Sequence, residues 1–281
     1  MKTKTDEFYI QECFKLAKNA LGATSPNPYV GCIIVRDGKE IARGFHKKSG
    51  LAHAELDAIQ STTESLVGAT LYCNLEPCCH TNKKTPPCTD RIIQEGITKV
   101  VIANLDVNPQ VAGKGVEKLR AAGIEVIHGV ENELGSDLNE VFFTHITKSR
   151  PFIHLKWAQT LDGKIATKDS DSKWITGTNA REYAHKERAL YDAIVIGANT
   201  LNKDNPSLTI RLNDKVNCKK RIVLSKSLKL DSSAKLFNDE FKDHTIIVSA
   251  DESIQKLHGV PVLYCPVTED KFDLPALMKV F

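Results

Sequence analysis

Residues His53 to Cys88 read HAELDAIQSTTESLVGATLYCNLEPCCHTNKKTPPC, and this stretch decides how the first half of the chain is read. It opens with His53-Ala54-Glu55 on a segment whose helical spacing runs to about Ser61. A strand-like run, Ala69 to Leu75, leads into Glu76-Pro77-Cys78, and Pro86-Pro87-Cys88 closes a loop. One imidazole and two thiolates fill three positions of a tetrahedral zinc ion and leave the fourth for water, the arrangement of a catalytic site. Zinc so held lowers the pKa of water to about 7, which supplies hydroxide at neutral pH. His53, Cys78 and Cys88 are therefore the expected metal ligands. Glu55, two residues beyond His53 at the start of the same helix, is the expected catalytic residue: it carries protons without binding the ion.

The flanking sequence predicts helices alternating with strands. An amphipathic helix spans Asp6 to Leu21, with Gly22 as its stop. Two strands, Tyr29 to Val35 and Glu40 to Phe45, flank the turn Arg36-Asp37-Gly38-Lys39 and form a hairpin. Beyond the cysteines come a helix near Thr89 to Glu95, a strand Lys99 to Ala103, a helix Gly115 to Ala122, a strand Ile124 to Ile127 and a helix Leu134 to Lys148. Ser149-Arg150-Pro151 breaks that last helix, and a domain boundary is placed there, giving domains 1–149 and 150–281. The second domain opens with a strand Phe152 to Ala158, then a helix Ala180 to Ala189 and strands Ala193 to Ile196, Arg221 to Leu224 and Thr245 to Val248.

Composition fits this picture. The chain has 281 residues, 41% of them hydrophobic and 26% charged, as in a globular protein of two ordinary domains. A net charge of +3, with basic residues dispersed among acidic ones, argues against nucleic acid and favours a small-molecule substrate. No run approaches the roughly 20 apolar residues of a membrane span, and no signal peptide opens the chain, so a cytoplasmic protein with no membrane partner is expected. In a reducing compartment the eight cysteines are not a disulfide framework. Cys73, Cys78, Cys79 and Cys88 crowd one segment and call for a metal or catalytic role, although Cys73 by itself reads as a buried strand residue, and Cys13, Cys32, Cys218 and Cys265 read as small buried residues.

His-x-Glu with Pro-Cys-x-x-Cys is the pattern of zinc nucleobase deaminases, yet here nine residues separate Cys78 from Cys88. That longer loop, ending Thr85-Pro86-Pro87-Cys88, resembles the bifunctional deaminase and reductase family of riboflavin biosynthesis. Further matches are Pro26-Asn27-Pro28 with Val30-Gly31-Cys32, Gly44-Phe45-His46, and Asp106 through Gly115. The resemblance implies a cytidine-deaminase-like three-layer α/β/α domain acting on a pyrimidine ribose phosphate. It makes Asn27, His46, His80 and Lys84 substrate contacts, with Lys83 the competitor for the last place. Cys79 stands where the family has serine, and the loop is one residue longer, so the ligand register is Cys78 or Cys79; Pro77, directly before Cys78, favours Cys78.

The second half resembles the reductase domain of the same family, from Phe152-Ile153-His154-Leu155-Lys156-Trp157-Ala158 through Asp204-Asn205-Pro206-Ser207-Leu208 and Arg211. The resemblance implies a dihydrofolate-reductase-like α/β fold, here incomplete, with NADPH contacts at Ala158, Trp174, Thr200 and Asp204. Substrate contacts would be Lys156, Ser172, Arg188, Leu208 and Arg211, and a homo-oligomer is implied. The family's Glu-Gly-Gly turn at the cofactor phosphates has no counterpart, because Gly259 is the single glycine after Gly197. Two rival expectations follow: a deaminase whose reductase half is inactive, and a zinc-binding structural module. A structural site is closed by four protein ligands and has no use for Glu55.

Overall fold

The computed structural model describes residues 4–81, 86–169 and 171–280. The chain divides into two units, one ending at Phe152 and the other beginning at Ile153.

Unit 1 opens with α1 (Asp6–Ala17), capped by the Thr5 hydroxyl, which accepts the Phe8 N–H, and carrying Asp6 and Glu7 where the helix dipole favours acids. A 3-10 turn, Lys18–Ala20, ends it short of the predicted Leu21. β1 (Gly31–Arg36) and β2 (Lys39–Phe45) form the expected hairpin. Asp37 and Gly38 both take positive φ, 52° and 73°, as a two-residue turn with the right twist requires. α2 (Ala54–Gln60), β3 (Thr70–Leu75), α3 (Cys88–Gln94), β4 (Lys99–Asn104), α4 (Lys114–Ala121) and β5 (Glu125–His128) follow. The sheet order is β2-β1-β3-β4-β5, antiparallel across β1 and parallel from β3 to β5.

Alternation along the strands builds a core on each face. Cys32, Ile34, Leu71, Cys73, Val100 and Ile102 meet Ala54 and Ala58 of α2, Ile92 of α3 and Leu119 of α4. Ile33, Val35, Tyr72 and Val101 meet Tyr9, Ile10, Cys13 and Phe14 of α1 on the other. The result is the three-layer α/β/α arrangement. α2 lies so close to β2 that a Cβ at Gly44 would sit 2.3 Å from the Ala58 nitrogen, so only glycine fits there.

The predicted helix Leu134 to Lys148 is two helices, α5 (Asn132–Leu138) and α6 (Glu140–Lys148). The break falls at Asn139, a buried residue whose side chain accepts the Tyr29 N–H at 2.7 Å and donates to the Tyr29 carbonyl at 3.1 Å. This long-range pairing holds Asn139 out of helical geometry.

Unit 2 contains α7 (Thr178–Leu190), β6 (Ala193–Gly197), α8 (Ala198–Asp204), β7 (Ile210–Leu212), β8 (Lys215–Asn217), β9 (Lys220–Leu224), α9 (Lys235–Asn238), β10 (Thr245–Ser249), β11 (Lys256–Leu257), β12 (Val260–Tyr264), β13 (Val267–Thr268), β14 (Lys271–Phe272) and α10 (Leu274–Val280). Its main sheet, β11-β12-β10-β9-β6, is parallel from β12 to β6. Val223, Ile247, Leu236 and Phe237 pack on one face, and Ile222, Val248 and Leu277 on the other. Arg221 of β9 is fully buried yet satisfied: Asp239 takes its two terminal nitrogens at 2.6 and 2.8 Å, and Thr245, Ser207 and Leu236 accept the rest. The predicted strand Phe152 to Ala158 does not form. The segment has no partner strand among the described residues, and its alternating Ile153, Leu155 and Trp157 are left exposed.

Candidate active site

His53 is the N-cap of α2, with extended backbone, so its side chain leaves the helix just where Glu55 enters the first turn. The end of β3 delivers Cys78, and Cys88 is the first residue of α3. The sulfurs of Cys78 and Cys88 each lie 3.5 Å from His53 Nδ1, and the three donor atoms fall within 4.8 Å of one another. The Cys88 N–H donates to the Cys78 sulfur at 3.4 Å. One nitrogen and two buried sulfurs converging on a single point suit zinc, and three protein donors leave a place for a further ligand. Glu55 is 3% exposed; burial and then the neighbouring Cys78 raise its carboxyl above the usual range.

Cys79 diverges from this cluster. Its thiol donates to the Gln110 carbonyl at 3.9 Å, and burial pushes its pKa up. Glu76, which the sequence reading passed over, sets the path of the loop. Its buried carboxylate accepts backbone N–H groups from Asp106 at 3.0 Å, Gly113 at 2.9 Å and Val116 at 3.1 Å. A Cβ at Gly115 would come within 2.3 Å of the Pro77 carbonyl. The cysteine loop and the 106–116 loop are thus stapled through main-chain atoms. The signal that could have drawn attention to Glu76 is an acid directly before Pro-Cys.

His46 and Asn27 stand beside the cluster. His46 is buried, its ring 5.6 Å from that of His53, and its Nδ1 lies 2.9 Å from the Ala52 carbonyl. A carbonyl only accepts, so Nδ1 carries the proton and Nε2 accepts from Asn27 Nδ2 at 3.1 Å. Burial lowers the pKa of His46, which favours the neutral ring that this pairing needs. The amide of Asn27 is thereby oriented, with its oxygen turned away from the imidazole. His80 Nδ1 is buried and meets no hydrogen-bond partner among the described residues. Lys83 and Lys84 lie outside the described residues.

In unit 2 the expected site residues are spread over loops and element ends. Lys156 and Ala158 sit in the extended 151–160 segment, and Ser172 and Trp174 in the loop before α7. Trp174 is 71% exposed, with the Arg181 guanidinium 4.5 Å from its ring centre. An open indole beside a guanidinium suits an aromatic, phosphate-bearing cofactor. Thr200 and Asp204 lie on α8, which follows the carboxyl end of β6, the side of a parallel sheet where ligands bind. No side-chain hydrogen bond joins these six residues to one another among the described residues. Arg188 and Arg211 are brought together at Thr209: Arg188 donates to its carbonyl at 2.6 Å and Arg211 to its hydroxyl at 3.0 Å. Leu208, buried and with a φ of 52°, precedes that residue.

Comparison with known proteins gives the same division. Residues 3–104 match the cytidine and deoxycytidylate deaminase zinc-binding region, and residues 151–280 match the RibD C-terminal domain. The chain is 48% identical over 266 residues to the riboflavin biosynthesis protein RibD of Aquifex aeolicus, covering 94% of this chain and 74% of that protein. It is 42% identical to the RibD of Actinobacillus pleuropneumoniae, covering 99% of this chain and 75% of the relative. Among solved structures, the diaminohydroxyphosphoribosylaminopyrimidine deaminase/5-amino-6-(5-phosphoribosylamino)uracil reductase of Thermotoga maritima superposes with a TM-score of 0.88 at 42% identity, over 98% of this chain and 77% of that one.

Proposed function

From the premise that the chain belongs to the RibD family of riboflavin biosynthesis proteins, we propose that His53, Cys78 and Cys88 hold the zinc ion and that Glu55 is the proton carrier of a pyrimidine deamination. The chain carries both activities of the family, zinc-dependent deamination and NADPH-dependent reduction. The substrate is 2,5-diamino-6-(5-phosphoribosylamino)pyrimidin-4(3H)-one, and the first product is 5-amino-6-(5-phosphoribosylamino)uracil. The observation that carries the reading is the three-donor cluster with Glu55 buried beside it.

Zinc, when bound, makes water a strong nucleophile at neutral pH. Glu55 accepts a proton from the attacking water at its carboxylate and delivers it to the ring nitrogen beside the attacked carbon. It then carries a proton to the departing amine, so one water is consumed and one ammonia leaves. Asn27, fixed by His46, reads the edge of the pyrimidine, and His46, His80 and Lys84 complete the substrate contacts. Because Glu55 is buried, its proton passes to substrate and not to bulk solvent.

In unit 2 the reaction opens the ribosylamino ring to a ribitylamino chain. NADPH would supply the hydride and solvent the proton that the opened chain takes up, and Ala158, Trp174, Thr200 and Asp204 would hold the cofactor. Lys156, Ser172, Leu208, Arg188 and Arg211 hold the substrate, the two arginines through the phosphate. The protein works in the cytoplasm, as a homo-oligomer; the sequence crowds four of its eight cysteines into one segment, a pattern that suits a metal site in a reducing compartment. No described helix is long and apolar enough to cross a membrane.

The test is to supply the zinc-loaded chain with the diaminopyrimidine ribose phosphate, measure ammonia, then add NADPH and follow its oxidation. Ammonia release followed by oxidation is the expected result. Release from cytidine or guanine but none from this substrate would overturn the assignment.

A further inference from the structure

Unit 2 holds two guanidinium groups against a single residue. Arg188 of α7 and Arg211 of β7 donate to the carbonyl and hydroxyl of Thr209, and no carboxylate pairs with either arginine among the described residues. Burial and then Arg211 pull the pKa of Arg188 down. Like charges held this close are unfavourable until an anion joins them.

A third group belongs to this cluster. His185 lies three residues before Arg188 on α7 and so shares its helical face. Its Nδ1 is 3.3 Å from the backbone nitrogen of Arg211. An N–H can donate only to an unprotonated ring nitrogen, so this bond exists in neutral His185 alone, with the proton on Nε2. Burial, Arg211 and Arg188 lower the pKa of His185 against the Thr209 backbone, which raises it, and so favour that neutral state.

The geometry points to His185 as a positioning residue of the reductase substrate site: its Nδ1 pins the main chain of Arg211 so that Arg211 and Arg188 converge on one phosphomonoester. The inference rests on the reading of those arginines as phosphate contacts and adds to it the residue that sets their spacing. Protonation of the ring would both break the bond to Arg211 and add a third positive charge. Neutral His185 leaves the two arginines to match the two charges of the phosphate.

The experiment compares the full zinc-loaded chain with His185→Ala and His185→Asn, using 5-amino-6-(5-phosphoribosylamino)uracil and NADPH. Asparagine offers an oxygen near the position of Nδ1 and can accept the same N–H. Alanine is expected to raise the KM for the phosphorylated substrate about fivefold to tenfold, the effect of one hydrogen bond that orders a charged group. The kcat, the KM for NADPH and the melting temperature should stay at wild-type values, and asparagine should bring KM back to within about twofold. An unchanged KM in His185→Ala would overturn the inference. So would a rise that asparagine fails to reverse, since loss of packing alone would produce it. Arg188→Ala and Arg211→Ala, measured in parallel, separate the two readings. If both leave KM unchanged, the phosphate reading falls and this inference with it. If both raise KM while His185→Ala does not, the inference about His185 alone falls.

Discussion

The two units place their chemistry in opposite ways. In unit 1 Glu55, Cys78 and Cys88 are buried and His53 half-buried; these groups spring from the ends of β3, α2 and α3 and are cross-braced by Glu76, His46 and Asn27. In unit 2 they hang on an extended segment, loops, two helices and the short strand β7, and Trp174 is largely open to solvent. A hydrolytic site built around one ion needs a dry, rigid pocket in which a carboxylate can hold a proton. A hydride-transfer site gains its order when a large cofactor arrives to bridge its parts. Substitutions in unit 1 should therefore damage chemistry, whereas those in unit 2 should damage binding or folding.

The largest effect expected is at Glu55. Glu55→Gln should lower ammonia release by about 10²- to 10⁴-fold while the chain keeps its zinc and still oxidises NADPH on the deaminated substrate. A matching loss of NADPH oxidation would break the comparison by showing that the units do not act separately. Next, Asp239→Ala leaves the fully buried Arg221 without its carboxylate and should cost unit 2 about 3 kcal/mol, read by denaturant unfolding, with deamination retained. Arg188→Ala should raise the KM for the reductase substrate by roughly tenfold to a hundredfold, in keeping with loss of a charge-assisted bond, with kcat little changed. The smallest effect belongs to Cys79→Ser. Its sulfur lies outside the metal cluster, so zinc content should stay at one per chain and deamination within about twofold, whereas Cys78→Ser should release the metal.

What could be read in advance follows the reach of the forces involved. The hairpin at Asp37-Gly38 and the alternation of strands and helices depend on neighbours in sequence, and they stand where the residues put them. His53, Cys78 and Cys88, whose spacing is itself the signal, bring their donor atoms within 4.8 Å of one another. The alternation of Ile153, Leu155 and Trp157 looks like a strand, but a strand needs a partner, and residue order does not supply one. The break at Asn139 answers to Tyr29, 110 residues away, and the hold of Glu76 answers to Asp106, Gly113 and Val116. The meeting of His185, Arg188 and Arg211 at Thr209 needs α7 laid on β7, which no local pattern encodes.

The bond between Asn139 and Tyr29 also sets an order of events during synthesis. Asn27, two residues before Tyr29, faces the deamination pocket through His46, yet the clamp on Tyr29 comes from near the end of unit 1. A growing chain on the ribosome emerges N-terminus first, so the three metal donors leave the exit tunnel well before Asn139 does. On the proposed reading of His53, Cys78 and Cys88, the nascent chain can therefore capture its ion before the Tyr29 strand entry is latched by Asn139.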